Sequence, residues 1–74
     1  MKTITVTADV AGTVWKVFVA VGEVVDSGQA LLILESMKME IPAGASQAGT
    51  VREILVKEGD PVDEGQALVV IGLR

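Results

Sequence analysis

The sequence predicts an all-β fold, a small sandwich or barrel, and three observations carry that expectation. Its apolar mass is aliphatic: half of the 74 residues are hydrophobic, yet Trp15 and Phe18 are the only aromatics, so Val, Ile, Leu and Ala must fill any core. Side chains of the β-branched kind favour strands. A 24-residue unit occurs twice. Finally, no stretch of eleven or more residues keeps a 3.6-residue apolar period free of glycine, which leaves a helix without a footing.

The repeat sets the organisation. Residues 11–34 align without a gap on residues 48–71 at an offset of 37, and twelve of the 24 pairs are identical, among them Gly22/Gly59, Asp26/Asp63, Gly28/Gly65 and Leu31/Leu68. Two copies are fewer than the three or more units a solenoid needs, so one pseudo-symmetric domain over residues 1–74 is expected.

Each element follows from this grammar. Thr3-Ile4-Thr5-Val6-Thr7 alternates cleanly and reads as a strand over 3–7. Each copy then has an opening glycine, a β-rich run, a Gly-acidic pair, a short valine step, an acidic-x-Gly turn and a second β-rich run. This places strands at 13–19, 24–25 and 29–35 in the first copy and at 50–56, 61–62 and 66–72 in the second. A strand over 39–42 lies between the copies. Alternation blurs over Val14 to Val19 and Leu31 to Leu34, which implies strands covered on both faces or containing a bulge. Gly22, Gly28, Gly59 and Gly65 are read as turn glycines. Asp26 and Asp63 are turn residues too, because a duplicated aspartate is a poor candidate for a unique catalytic role.

Composition removes several function classes. There is no Cys, hence no disulfide or thiolate metal site, and no His, hence neither the usual general base nor the commonest metal ligand. Net charge is −4, with Lys and Arg scattered at 2, 16, 38, 52, 57 and 74. No basic stripe exists to neutralise phosphates, so nucleic acid is not expected as a partner. The longest apolar runs are five residues, against the roughly twenty that span a bilayer, so no membrane association is expected either. Met1-Lys2-Thr3 does not lead into the apolar segment of a signal peptide. A soluble, cytoplasmic protein, monomeric in isolation, is the expectation.

Function should lie where the repeat does not explain the sequence, and the stretch 35–47 between the copies is that place. It begins Glu35-Ser36-Met37-Lys38-Met39-Glu40-Ile41-Pro42. Following the apolar run that ends at Leu34, it reads as a hairpin with Lys38 at its tip. A lone lysine at a turn is ordinarily a solvated charge. Two methionines beside it are not ordinary: facing water costs on the order of 1–2 kcal/mol for each large apolar side chain unless it folds back or meets a partner, and Met suits a surface that another protein must recognise. The chemistry indicates a presented lysine with apolar shoulders and does not say what is attached to it.

Glu35-Ser36-Met37-Lys38-Met39 resembles the Glu-Ala-Met-Lys-Met signature of the biotinyl/lipoyl attachment domain family, in which the lysine between two methionines carries biotin. The resemblance spans the chain and is nearest to the small free-standing members that look like a biotin carboxyl carrier protein. It implies a flattened barrel-sandwich of two four-stranded antiparallel sheets with quasi-twofold symmetry, the modified lysine in the hairpin joining the halves. It further implies covalent biotin on Lys38, flanked by Met37 and Met39, with Glu35, Ser36 and Glu40 available for ligase recognition. Its partners would be a biotin protein ligase, a biotin carboxylase and a carboxyltransferase, with the domain itself a non-catalytic carrier. The lysine side chain and the valeryl arm would make a tether on the order of 10–15 Å.

Two departures stand out. Ser36 takes the place of Ala, small for small, and the gapless repeat leaves no room for the thumb that some bacterial carriers insert in the first half. The alternative within the same fold is a lipoyl carrier with lipoate on Lys38. Its pattern, Glu-x-Asp-Lys-Ala, agrees at Glu35 and disagrees at Met37 and Met39. A purely structural module with an unmodified lysine is the third reading. An enzyme is disfavoured, because without His, Cys or a metal constellation nothing in the sequence activates a nucleophile.

Overall fold

The computed structural model describes residues 2–73 and contains eight strands: β1 (Thr3–Thr7), β2 (Gly12–Val17), β3 (Val24–Val25), β4 (Ala30–Ser36), β5 (Met39–Gly44), β6 (Gly49–Ile54), β7 (Pro61–Val62) and β8 (Ala67–Leu73). They form two four-stranded antiparallel sheets, ordered β1-β8-β6-β3 and β5-β4-β2-β7. Advancing every strand by four positions, cyclically, converts one order into the other. The expected all-β sandwich with quasi-twofold symmetry is therefore what the chain forms.

The repeat reaches further than the identities show. Ala8 donates its N–H to Gln66 O and accepts from Gly65 N–H; Ala45 donates to Gln29 O and accepts from Gly28 N–H, the same contacts 37 residues on. Thus β5 is the counterpart of β1. Most of the stretch 35–47, expected to lie outside the repeat, is part of it, and only the turn Met37–Lys38 has no strand equivalent among the described residues.

The turns explain both the symmetry and the two strands that end early. β2 and β6 stop at Val17 and Ile54, two residues short of the expected Val19 and Val56. One further ladder bond follows in each half, Phe18 N–H to Leu31 O and Leu55 N–H to Leu68 O, before the chain turns. In the first turn the Glu23 carboxylate accepts the Ala20 N–H at 3.2 Å; in the second, Asp60 accepts the Lys57 N–H at 3.0 Å. Gln29 and Gln66 do the same for the N–H groups of Asp26 and Asp63, each at 3.0 Å. Gly22 and Gly59 sit at φ 94° and 95°, Gly28 and Gly65 at 84° and 85°, a backbone region that side chains with Cβ resist. β5 continues to Gly44 through Pro42, because it is an edge strand and a missing N–H is tolerated there.

The two halves interlock. Gly22 N–H and Glu23 O bond Val51 O and N–H across the molecule; Gly59 N–H and Asp60 O bond Val14 in the same way, all four at 2.8 Å. Each half's turn thereby extends the pairing of a strand in the other half, β6 at Val51 and β2 at Val14.

Bulges account for the blurred alternation. The register slips past Trp15 in β2 and Arg52 in β6, and past Leu31 in β4 and Leu68 in β8. The last two turn consecutive residues inward: Leu31, Leu32, Leu68 and Val69 are all fully buried. With Val14, Val25, Leu34, Val51 and Ile71 they form one aliphatic core that contains no buried polar residue.

The molecule is elongated, 36 × 18 × 17 Å. β2 leaves the β4–β5 turn and, past Phe18, reaches Val51 beside the end of β8, so that turn and the paired ends of β1 and β8 occupy opposite poles.

At Gly49 an added Cβ would run into the Gly72 carbonyl oxygen and lie 2.7 Å from Ile71 Cγ2. Gly49→Ala is therefore expected to cost about 1–3 kcal/mol, the range for overpacking, and a domain of this size loses roughly 4–8 °C in Tm per kcal/mol. The exposed Gln47→Ala nearby should change Tm by no more than about 2–4 °C. Equal melting temperatures for the two variants would contradict the packing described.

Candidate functional site

The hairpin expected around Lys38 is formed by β4 and β5. Below its turn the strands pair in unbroken register: Ser36 opposite Met39, Glu35 opposite Glu40, Leu34 opposite Ile41, Ile33 opposite Pro42. Leu34 is buried, so the base is rooted in the core. β2 braces it from the other side, pairing Thr13 with Glu35 and Val14 with Leu34. Gly12 makes this approach possible, because a Cβ there would collide with the Glu35 carbonyl oxygen and come within 3.3 Å of Ser36 Cβ. The sequence pairs Gly12 with Gly49 in the repeat, which is the signal for this role, though not for its closeness to the hairpin.

The turn has two residues, Met37 and Lys38, at φ 50° and 66°. Positive φ at both central positions is the signature of a type I′ turn, whose twist matches the flanking strands and which normally selects Asn-Gly. Residues with a Cβ pay on the order of 1–2 kcal/mol each for this conformation. The ladder below holds two of them in it. Such strain concentrates where presentation matters more than stability.

The side chains at the tip are open to solvent. Met37 is 92% exposed and Met39 63%, so neither folds back onto the sandwich. Lys38 is exposed, and no ion pair engages it among the described residues. Ser36 is half-buried at the foot of the turn. Glu35 and Glu40 are exposed and directly opposed, a like-charge pair that by itself disfavours the pairing. The structure thus gathers all six residues singled out from the sequence into one tip and its first two rungs.

Chemically the tip offers one primary amine on an unbranched stem, exposed and with no ion-pair partner among the described residues. That fits acylation by an extended carboxylic acid. Among the described residues no three acidic groups are grouped to hold a metal ion. A shallow groove of about 210 Å³ between the β1 and β5 edges has Asp9 as the sole titratable residue in its lining.

Residues 1–71 match a protein family described as biotin-requiring enzyme. The biotin/lipoyl attachment protein of Bacillus subtilis (strain 168) is 51% identical over 43 residues, covering 58% of this chain and 59% of that protein. The match therefore spans less than two thirds of the curated relative. Among solved structures, the urea carboxylase of Kluyveromyces lactis superposes on 97% of the chain with a TM-score of 0.92 and 36% identity. A single-chain, multi-domain long-chain acyl-CoA carboxylase does so on 97% with a TM-score of 0.91 and 32% identity. The chain spans 6% and 7% of those two proteins.

The strained turn makes an unusual stability prediction. Met37→Gly should raise the free energy of unfolding by about 0.5–1 kcal/mol, the left-handed penalty relieved less the entropy glycine adds to the unfolded chain, while Met37→Leu should leave it unchanged. Urea titration with an unaltered m value is the measurement. Destabilisation by glycine would show that residue 37 is not held in the left-handed region.

Proposed function

We propose, from the premise that the chain belongs to the biotin-requiring enzyme family and is a biotin/lipoyl attachment domain, that it is a biotin carboxyl carrier modified on Lys38. The observation that carries this reading is the turn itself. A lysine with no ion-pair partner among the described residues stands between two exposed methionines at the pole of the sandwich, held there in a backbone conformation that both turn residues resist.

In this reading a biotin protein ligase uses ATP to form an amide between biotin's carboxyl group and the Nζ of Lys38. Biotin then supplies the ureido nitrogen on which a carboxyl group is carried from a biotin carboxylase to a carboxyltransferase. The chain's part is positional. Its hairpin fixes the root of the arm, and the tether, on the order of 10–15 Å, keeps the carried group at high effective concentration near two enzymes. The hard chemistry belongs to cofactor and partners. The kinship to two carboxylases supports this. A lipoyl carrier is the second reading, favoured by Glu35, which suits both families, and opposed by Met37 and Met39.

Co-expression with a biotin protein ligase should add the mass of one biotin, on Lys38, and Lys38→Arg should fold normally and take none. A peptide map placing biotin on Lys2, Lys16 or Lys57 would end the assignment. The choice between ligases is expected to rest on the methionines, since specificity is a difference of affinities and exposed side chains have little core contact to lose. Met37→Asp with Met39→Ala should leave Tm within a few degrees, slow biotinylation and permit lipoylation by a lipoate ligase. Unchanged biotinylation without lipoylation would move recognition to Glu35 and Glu40.

A further inference from the structure

The pseudo-symmetry supplies an internal control for every surface position, because residues 37 apart occupy the same place in the same fold. Where two such residues differ, the fold does not require the difference. Both aromatics of the chain fall in this class. Trp15 is 43% exposed and Phe18 53%, outside an entirely aliphatic core. Their counterparts are Arg52, at the matching bulge of β6, and Leu55, just past the end of that strand. Lys16 likewise corresponds to Glu53.

The bulge decides where Trp15 points. Val14 and Val17 pair with the buried Leu34 and Leu32, so both face inward and the two residues between them share the outer face. There the Lys16 ammonium lies over the indole, 5.8 Å from its centroid. Ile33 sits opposite Lys16, and Pro42 opposite Ile33. At about 3.3 Å per residue this apolar centre lies roughly 10 Å down the sheet from the turn. Glu35 and Glu40 fill the interval. The other sheet presents Arg52, Glu53, Val70 and Thr5 at the matching positions and has Gly72 and Thr3 in place of the glutamates.

Resting on the carrier reading above, we propose that this face, centred on Trp15, is where the carrier docks on the biotin carboxylase that loads its arm. A ligase acts at Nζ itself, so its contacts concentrate on the tip. A carboxylase acts at the far end of the arm, on the order of 10–15 Å beyond, which leaves the flank of the domain within reach of its surface. The face is continuous with the arm's root and fixes the partner's chemistry by complementarity: an apolar pocket for the indole, a carboxylate opposite Lys16, and guanidinium or ammonium groups opposite Glu35 and Glu40. A half-exposed indole of this kind is the type of side chain that dominates interface energetics.

The test exchanges residues for their own counterparts, which the fold already accommodates. Trp15→Arg and Lys16→Glu are expected to melt with the wild type and to accept biotin from a purified biotin protein ligase at an unchanged rate. When the biotinylated proteins are offered to a purified biotin carboxylase with ATP and labelled bicarbonate, KM for the carrier should rise about tenfold or more in Trp15→Arg, with kcat little altered. Arg52→Trp, on the opposite face, should change nothing. An unchanged KM would overturn the proposal, and slower biotinylation in step with the higher KM would assign the face to the ligase instead. Failure of the wild type to take biotin would refute the carrier reading, and that step is observed before any carboxylase is added.

Discussion

The structure depends on four backbone hydrogen bonds that cross between its halves. Gly22 and Glu23 close on Val51 in β6, and Gly59 and Asp60 close on Val14 in β2, so neither half satisfies these backbone groups alone. A 74-residue chain buries only about 60–65% of its unfolded surface, and its core here has neither aromatic bulk nor a disulfide. Interlocking answers that shortage. It draws both halves around one set of Leu, Val and Ile side chains, and inward bulges at Leu31 and Leu68 each seat an extra side chain in it. The turns carry the glycine and acidic residues of the repeat because each must both reverse the chain and present a backbone N–H to the opposite half.

That economy is what permits an unfavourable tip. The β4–β5 turn combines left-handed backbone at two residues with side chains, a pair of opposed glutamates and two solvent-facing methionines. None of these helps the chain fold. They persist because the rungs beneath are rooted at Leu34 and braced through Gly12, whose missing side chain lets β2 close against the hairpin. Stability is concentrated in the body and the exposed lysine and methionines at the pole, and the two are joined by the β4–β5 ladder.

Much of this was legible in the residues. The gapless repeat and the turn glycines placed six strands, the alternation of Thr3 to Thr7 placed β1, the hairpin reading placed β5, and the blurred runs at Val14 and Leu31 announced bulges. The equivalence of β5 and β1 was hidden, because Thr3-Ile4-Thr5-Val6-Thr7 and Glu40-Ile41-Pro42-Ala43-Gly44 share only the isoleucine. What they have in common is a place on a sheet edge, which leaves little mark on side-chain identity. The early ends of β2 and β6 were hidden too, since Glu23 and Asp60 stop the strands through bonds that propensity does not register. At the site, physical reasoning reached a lysine with apolar shoulders and halted. The resemblance of Glu35-Ser36-Met37-Lys38-Met39 to the family signature supplied the expectation of a modified lysine; the hand of the turn came from the structure, for Met-Lys is not a pair that advertises a type I′ reversal.

The polar arrangement of the molecule has a consequence for architecture. β1 begins where β8 ends, with Leu73 N–H donating to Lys2 O at 2.9 Å, at the pole farthest from Lys38. A sandwich whose two ends emerge side by side and away from its working tip is a portable cassette: it can be spliced into a larger polypeptide through adjacent attachment points without obstructing the arm. The chain matches 6% and 7% of the two carboxylases on which it superposes. The geometry that closes the sandwich on itself, with its ends paired at one pole, is the geometry that makes it transplantable.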